Sequence, residues 1–286
     1  MVVEEYQMIL KNFIKKTFSP LFNHPICDHL RARLGFKPPR FVRPLSKRAS
    51  ISDLFPWRVD DIWDTQFEIL NLPSILLPDN AQIDVTTIVL FNAEGSEVTR
   101  HVIKLKPFDS KRIRIGDLLG DLSGTGTFAC FHSSSDLGAI QRAGCYLNDR
   151  QYVSFLRKGD LVCNYVHGNI YGLSKLPNDD KIQSVVYLQP KTQVYRPQLR
   201  FDDCDRFELV YSNPCKESSK LLVRIFDENW QELERRENII PPRGLKILEF
   251  NNNSRQYVFV ENQSWIGLWR PIIFKYYKSY FDVLHS

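Results

Sequence analysis

The sequence predicts a mostly β protein: two tandem, related antiparallel β-sandwich-like domains preceded by a short helical, basic N-terminal segment. Three observations predict it. Short runs rich in Val, Ile, Phe and Tyr alternate with clusters of Asn, Asp, Gly, Pro and Ser at spacings typical of antiparallel strands. Neither half holds a central helical run of ten or more residues, which disfavours a parallel βαβ architecture. The second half also echoes the first, element by element.

The echo begins where RVDDIWDTQFEIL (58–70) aligns with RFDDCDRFELV (200–210), matching Arg58, Asp60, Asp61, Phe67 and Glu68 to Arg200, Asp202, Asp203, Phe207 and Glu208. It continues with TTIVLFNAEGSEV (86–98) on LLVRIFDENWQEL (221–233), a strand and a polar turn, and with LKPFDSKRIRI (105–115) on IPPRGLKILEF (240–250), a proline-led turn into a strand. GTFACF (126–131) then parallels QYVFV (256–260). YVSFLR (152–157) parallels WIGLWR (265–270), which sets Arg157 opposite Arg270. The runs AQIDVTTIVLF and SEVTRHVIKLK partly alternate polar and apolar residues, as a sheet with one buried and one wet face requires. The expected organisation is a basic segment at 1–50, a first repeat with an insertion at 51–190 and a second repeat at 191–286.

Composition sets the outer bounds. With 286 residues, 43% hydrophobic and 25% charged, the chain suits two folded domains and needs no disulfide or metal to fold. The six cysteines show no CxxC pairing and no Cys/His cluster at ligand spacing, so reduced thiols and no metal are expected. There is no run of roughly 18 apolar residues and the first residues carry Glu4 and Glu5, so a cytoplasmic protein is expected.

Charge is concentrated at one end. Residues 1–50 hold ten Lys/Arg and three Asp/Glu, a net of +7; the remaining 28 basic and 30 acidic residues leave −2 for the rest. A nearly neutral body disfavours a nucleic-acid face, which needs Lys and Arg gathered on one surface. Within the basic segment, Tyr6, Ile9, Leu10, Phe13 and Ile14 fall on one side of a helix that ends before Pro20. Ile26, Leu30 and Leu34 mark a second helix capped by Gly35, and KPPRFVRPLSKR (37–48) reads as an extended arm. Residues 1–22 are expected either to pack on the body or to rest on an anionic membrane surface.

No complete catalytic motif is present. GDLLGDLSGTGTF (116–128) lacks the lysine of a phosphate-binding loop, and HSSSDLG (132–138) lacks a GxSxG elbow. The paired Asp60-Asp61 and Asp202-Asp203 read as structural devices beside arginines, not as a calcium loop. The difference between the copies points elsewhere. Aligning RKGDLVCNYVHGN (157–169) with RPIIFKYYKSY (270–280) sets His167-Gly168-Asn169 opposite Lys278-Ser279-Tyr280, so only the first copy carries the histidine. That copy also has the longer insertion after Phe128.

Two function classes follow. The first is a non-catalytic binding or assembly protein that recognises a glycan, a partner protein or a small anionic ligand, needs no cofactor, and binds through Asn169, Asp136, Trp57, Trp269 and Arg270. The aromatic residues Trp63, Trp230, Trp265 and FKYYKSYF (274–281) are further material for a sugar-stacking groove. The second is an enzyme acting on a carbohydrate or other polar metabolite. There His167 would transfer protons and Arg157 would hold an anionic group, with help from Asp160 or His132.

Overall fold

A computed structural model describes residues 50–133, 148–149, 151–160, 163–176, 179–186, 188–266 and 270–285. The expectations for residues 1–49, for Asp136 and for Trp269 fall outside the described residues, as does the side chain of Asn169. The protein is mostly β, with its sheets in a propeller-like arrangement.

The first half runs β1 (Ser50–Val59), β2 (Trp63–Leu70), α1 (Leu72–Leu76), β3 (Asp84–Asn92), β4 (Glu97–Leu105), β5 (Ser110–Arg114), α2 (Ile115–Leu119), β6 (Gly124–Phe131), β7 (Asn148–Asp149), β8 (Tyr152–Arg157), β9 (Cys163–His167), β10 (Asn169–Lys175) and β11 (Ile182–Ser184). The second half runs β12 (Leu188–Tyr195), β13 (Arg206–Ser212), β14 (Ser219–Phe226), β15 (Glu232–Ile240), β16 (Leu245–Asn251), β17 (Phe259–Ile266), β18 (Ile272–Tyr276) and β19 (Phe281–His285). Both helices have five residues and cap sheet edges, leaving the layers to strands alone.

Strand order repeats between the halves. One sheet reads β1-β6-β3-β4 and its counterpart β12-β17-β14-β15; the other reads β5-β2-β8-β9 and its counterpart β16-β13-β18-β19. The first half adds β10, β11 and β7 beside β1, which the sequence reading did not anticipate. Both copies also close the matched Arg–Asp pair. Arg58 Nε meets Asp60 Oδ2 at 3.1 Å and Arg200 Nη2 meets Asp202 Oδ2 at 2.7 Å. Asp60 Oδ1 additionally accepts the amides of Ile62 and Trp63, both at 2.8 Å, so this carboxylate fixes the turn into β2.

Register corrects the later part of the alignment. β8 holds the place of β18, third in its sheet, whereas Trp265 and Ile266 end β17 in a different sheet. Phe67 pairs with Val153 and Phe207 with Lys275, so Arg157, at the end of β8, corresponds to a position past the end of β18 and not to Arg270, which precedes that strand. Likewise β9 matches β19. His167 lies opposite Tyr152, and the corresponding position, opposite Phe274, is Val283 and not Lys278. The slip has a simple cause: Tyr-, Trp- and Phe-rich runs of equal length resemble one another, and composition alone does not distinguish successive strands.

The two halves share a core. Phe55 of β1 packs against Phe67 of β2 at 4.9 Å and against Phe128 of β6 at 5.1 Å, filling the space between the first-half sheets. The same buried cluster extends to Val210, Leu245, Ile272, Phe274, Phe281 and Val283 of the second half. Trp63 stands edge-on to Phe281 at 4.7 Å and to Phe274 at 5.7 Å. The opposite face of β13, with Phe207, Leu209 and Tyr211, packs on Leu221, Val223, Ile225 and Val260 in a second cluster. Alternation along one strand therefore feeds two cores, a demand that explains why β13 is buried at almost every position. Each half builds its own antiparallel sheets, and the two are joined through this shared core.

A turn–turn contact closes the seam from one side. Leu245 N donates to Ala93 O at 2.9 Å, and the Thr127 hydroxyl donates to Arg243 O. Gly95, at φ 80°, lets the β3–β4 turn reach this position; a Cβ built on it would lie 1.8 Å from Pro242 O. Gly95→Ala is therefore expected to destabilise the fold both through the left-handed backbone and through displacement of the Pro241–Gly244 turn, by about 1–3 kcal/mol. Trp63→Ala, which empties the centre of the shared core, is expected to cost about 3–5 kcal/mol while denaturant unfolding stays a single transition. An early transition confined to one half would contradict the shared core.

Candidate functional site

The strongest site is the open face of the β5-β2-β8-β9 sheet. Along β2, Phe67 and Ile69 point into the core and Glu68 points out; along β8, Val153 and Phe155 point in and Tyr152 points out. β9 follows the same rule, with Val166 buried and Tyr165 outside. Register then gathers the outward side chains. Ser154 lies opposite Tyr165, Tyr152 opposite His167, and Glu68 opposite Arg112.

The result is a shallow depression of about 690 Å³ lined by Glu68, Leu70, Ser110, Gln151, Tyr152 and Tyr165. Its two tyrosines are 53% and 54% exposed, an unusual state for large rings on one small patch. His167 stiffens the margin: its ring lies 3.9 Å from that of Tyr152 at 34°, and 6.5 Å from that of His285, nearly perpendicular. The Cys163 side chain, by hydrogen bonding, holds the Tyr165 hydroxyl above the usual phenol range, so this group stays protonated. Chemically the patch offers two apolar ring faces, one carboxylate, three hydroxyls and one amide, a set suited to a ligand with alternating C–H and O–H edges.

The residues named from sequence are not gathered into one site. His167 borders the tyrosine face. Arg157 stands at the far end of β8, five residues from Tyr152, a strand distance of roughly 17 Å. There Arg157 and Asp160 do meet, Nε to Oδ2 at 2.8 Å, in a separate depression of about 510 Å³ with Asn164, Phe281 and Asp282. His132 is 1% exposed just past the end of β6, away from this sheet, its Nδ1 2.5 Å from Asp84 Oδ2. The same Asp84 carboxylate takes the Thr86 hydroxyl at 2.8 Å and the Ser133 amide at 3.1 Å, a buried network that locks the ends of β3 and β6 together.

The aromatic expectations divide similarly. Trp57 is 3% exposed, and its indole N–H bonds Phe91 O at 2.9 Å and Thr127 O at 3.1 Å, so it is a core residue and not a groove wall. Trp63 is buried in the seam. Arg270 is exposed and lies over the Tyr195 ring at 5.9 Å. Trp230, 48% exposed, stacks on Phe259 at 4.5 Å and 7°, covered by Arg196 at 5.2 Å. Trp265 lines a third depression, of about 560 Å³, with Leu222, Ile239, Gln263 and Lys220 on the β12-β17-β14-β15 sheet.

Sequence reasoning overlooked Tyr152, Tyr165, Glu68, Ser110 and Gln151. The signal was parity: within YVSFLR and CNYVH the tyrosines sit out of step with Val153, Phe155 and Val166. Among the described residues no group of three or more His, Cys, Asp or Glu is placed to hold a metal ion, and no helix is long and apolar enough to cross a membrane.

No protein-family model and no curated protein matches the chain. Among solved structures, a glycosyl hydrolase family 2 member from Bacteroides cellulosilyticus aligns at 12% identity over 82% of this chain and 28% of its own, with a TM-score of 0.14. A beta-glucuronidase of glycoside hydrolase family 2 aligns at 12% identity over 82% of this chain and 23% of its own, with a TM-score of 0.15. The chain spans less than a third of the length of those proteins, and at such scores the likeness bears on neither fold nor activity.

Proposed function

We propose that the protein is a non-catalytic binding module that holds a carbohydrate on the open β5-β2-β8-β9 face. The observation that carries this reading is the pair of half-exposed rings, Tyr152 and Tyr165, set on neighbouring strands with Glu68, Ser110 and Gln151 around them. A sugar ring presents a C–H face that a tyrosine can cover and hydroxyls that need both donors and acceptors at the rim. A carboxylate, a hydroxyl and an amide supply those. The His167 ring backs Tyr152 and limits its motion, reducing the ordering cost of binding.

Duplication fits a scaffold role. The repeated strand order supports descent of the two halves from one ancestral sandwich, in which the second half supplies the rigid backing and the first carries the site. The basic segment 1–50 is proposed as an attachment point to an acidic partner or anionic surface. The enzyme alternative uses His167 and Arg157 with help from Asp160 or His132; His167 and Arg157 stand at opposite ends of the β8–β9 hairpin and His132 follows β6, which favours the binding reading.

A glycan array probed with the full chain tests the reading. Binding to at least one glycan is expected, with Tyr165→Ala and Tyr152→Ala each weakening it about tenfold, since an aromatic contact contributes about 1–1.5 kcal/mol. Trp265→Ala, on the separate depression, should leave that affinity unchanged. A blank array, or tyrosine variants that bind as the parent does, would overturn the proposal.

A further inference from the structure

We propose that the edge strand β15 is a self-complementary interface through which two copies of this chain pair antiparallel, about a twofold axis at Arg236. β15 is the last strand of the β12-β17-β14-β15 sheet, hydrogen-bonded to β14 on one side and to no other described strand. Its alternate residues therefore send their N–H and C=O groups outward, a ready template for another strand. Residues Glu234 to Ile240 pair with β14 without a break in register, so seven residues form a regular edge.

Side-chain order selects the partner. Arg235 and Glu237, paired within the strand at 2.8 Å, share the outer face with Ile239, which is 63% exposed; Leu233, 40% exposed, precedes them at the bulge. Reversing the strand about Arg236 sets Arg235 opposite Glu237 of the second copy, and Glu237 opposite its Arg235. The two opposed pairs of the regular edge on that face are thus oppositely charged, the combination that stabilises antiparallel neighbours, and Leu233, at the bulge that ends the edge, adds an apolar side chain near Ile239 of the second copy. On the other face Arg236 is already neutralised, its Nε 2.6 Å from Glu234 Oε1 and its guanidinium 4.2 Å from the Phe250 ring, so two copies of it can approach without an unpaired charge.

Shifting the axis by one residue, to Arg235 or to Glu237, would oppose two Arg235 or two Glu237 side chains, so the charges define one register. The matching edge of the first half behaves differently. β4 carries Arg100 and Lys104, which would face each other as like charges about Val102, and Arg100 is engaged by Asp180 at 3.0 Å. A closed twofold contact between β15 strands would give one continuous eight-stranded sheet and leave the tyrosine face, in another sheet, free.

Sedimentation velocity of the full chain over a concentration series tests this. The parent protein is expected to show a monomer–dimer equilibrium. Arg235→Glu and Glu237→Arg should each weaken dimerisation at least about tenfold by opposing like charges, and the double variant Arg235→Glu/Glu237→Arg should restore it. Both positions are exposed, so the variants should fold, and unchanged circular dichroism checks that they do. A parent that is monomeric at every concentration would overturn the proposal, as would single variants that dimerise like the parent or a double variant that fails to recover. The tyrosine variants used for glycan binding should leave the equilibrium unchanged, so the two proposals can fail separately.

Discussion

The burial of the seam between the halves governs the rest of the structure. Trp63 opens β2 in the first half, yet its indole is packed by Phe274 and Phe281 of the second, while Phe55 and Phe67 continue the same core outward. Removing this much aromatic surface from water stabilises the docked arrangement by several kcal/mol and leaves little freedom between the units. Because the seam clamps the inner face of the β5-β2-β8-β9 sheet, the outward residues of that sheet are held in a fixed array. A binding face on so few strands depends on that rigidity.

Charge reinforces the seam at one point. Glu208 of β13 is 2% exposed, a costly place for a carboxylate unless its charge is met. Arg58 reaches across from β1 to bond it at 2.9 Å, and Arg206 approaches at 3.2 Å from the same strand. Arg58 also lies 5.1 Å over the Trp63 ring, so one guanidinium joins the ion pair to the apolar contact. Burial, with Glu208 nearby, pushes the Tyr276 hydroxyl far above the usual phenol range and keeps it neutral within the cluster. The acid that matches Glu208 in the first half, Glu68, is exposed beside the tyrosines. Equivalent positions thus serve docking in one copy and a solvent-facing rim in the other.

Much of the architecture was legible in the order of residues. The matched Arg58-Asp60 and Arg200-Asp202 pairs, the strand–turn–strand runs and the absence of long helices all follow from local chemistry, which a single sequence contains. Register was not legible. Placing YVSFLR beside WIGLWR was reasonable by composition, but pairing partners are set by contacts far along the chain. That slip carried His167 to the wrong counterpart and tied it to Arg157. His132 and Trp57 were similarly ambiguous: a histidine among serines and a tryptophan before an arginine look accessible until Asp84 and the carbonyls of Phe91 and Thr127 are seen to enclose them. The tyrosine face escaped notice because its residues are ordinary singly and unusual only when two strands bring them together.

Native-state hydrogen exchange is the most direct test of one seam governing both halves. Amides at the centres of β2 and β13 should exchange only through a common global opening, with the same free energy and the same dependence on denaturant. Two distinct plateaus, one for each half, would mean that the units open independently and that the seam does not bind them into one structure.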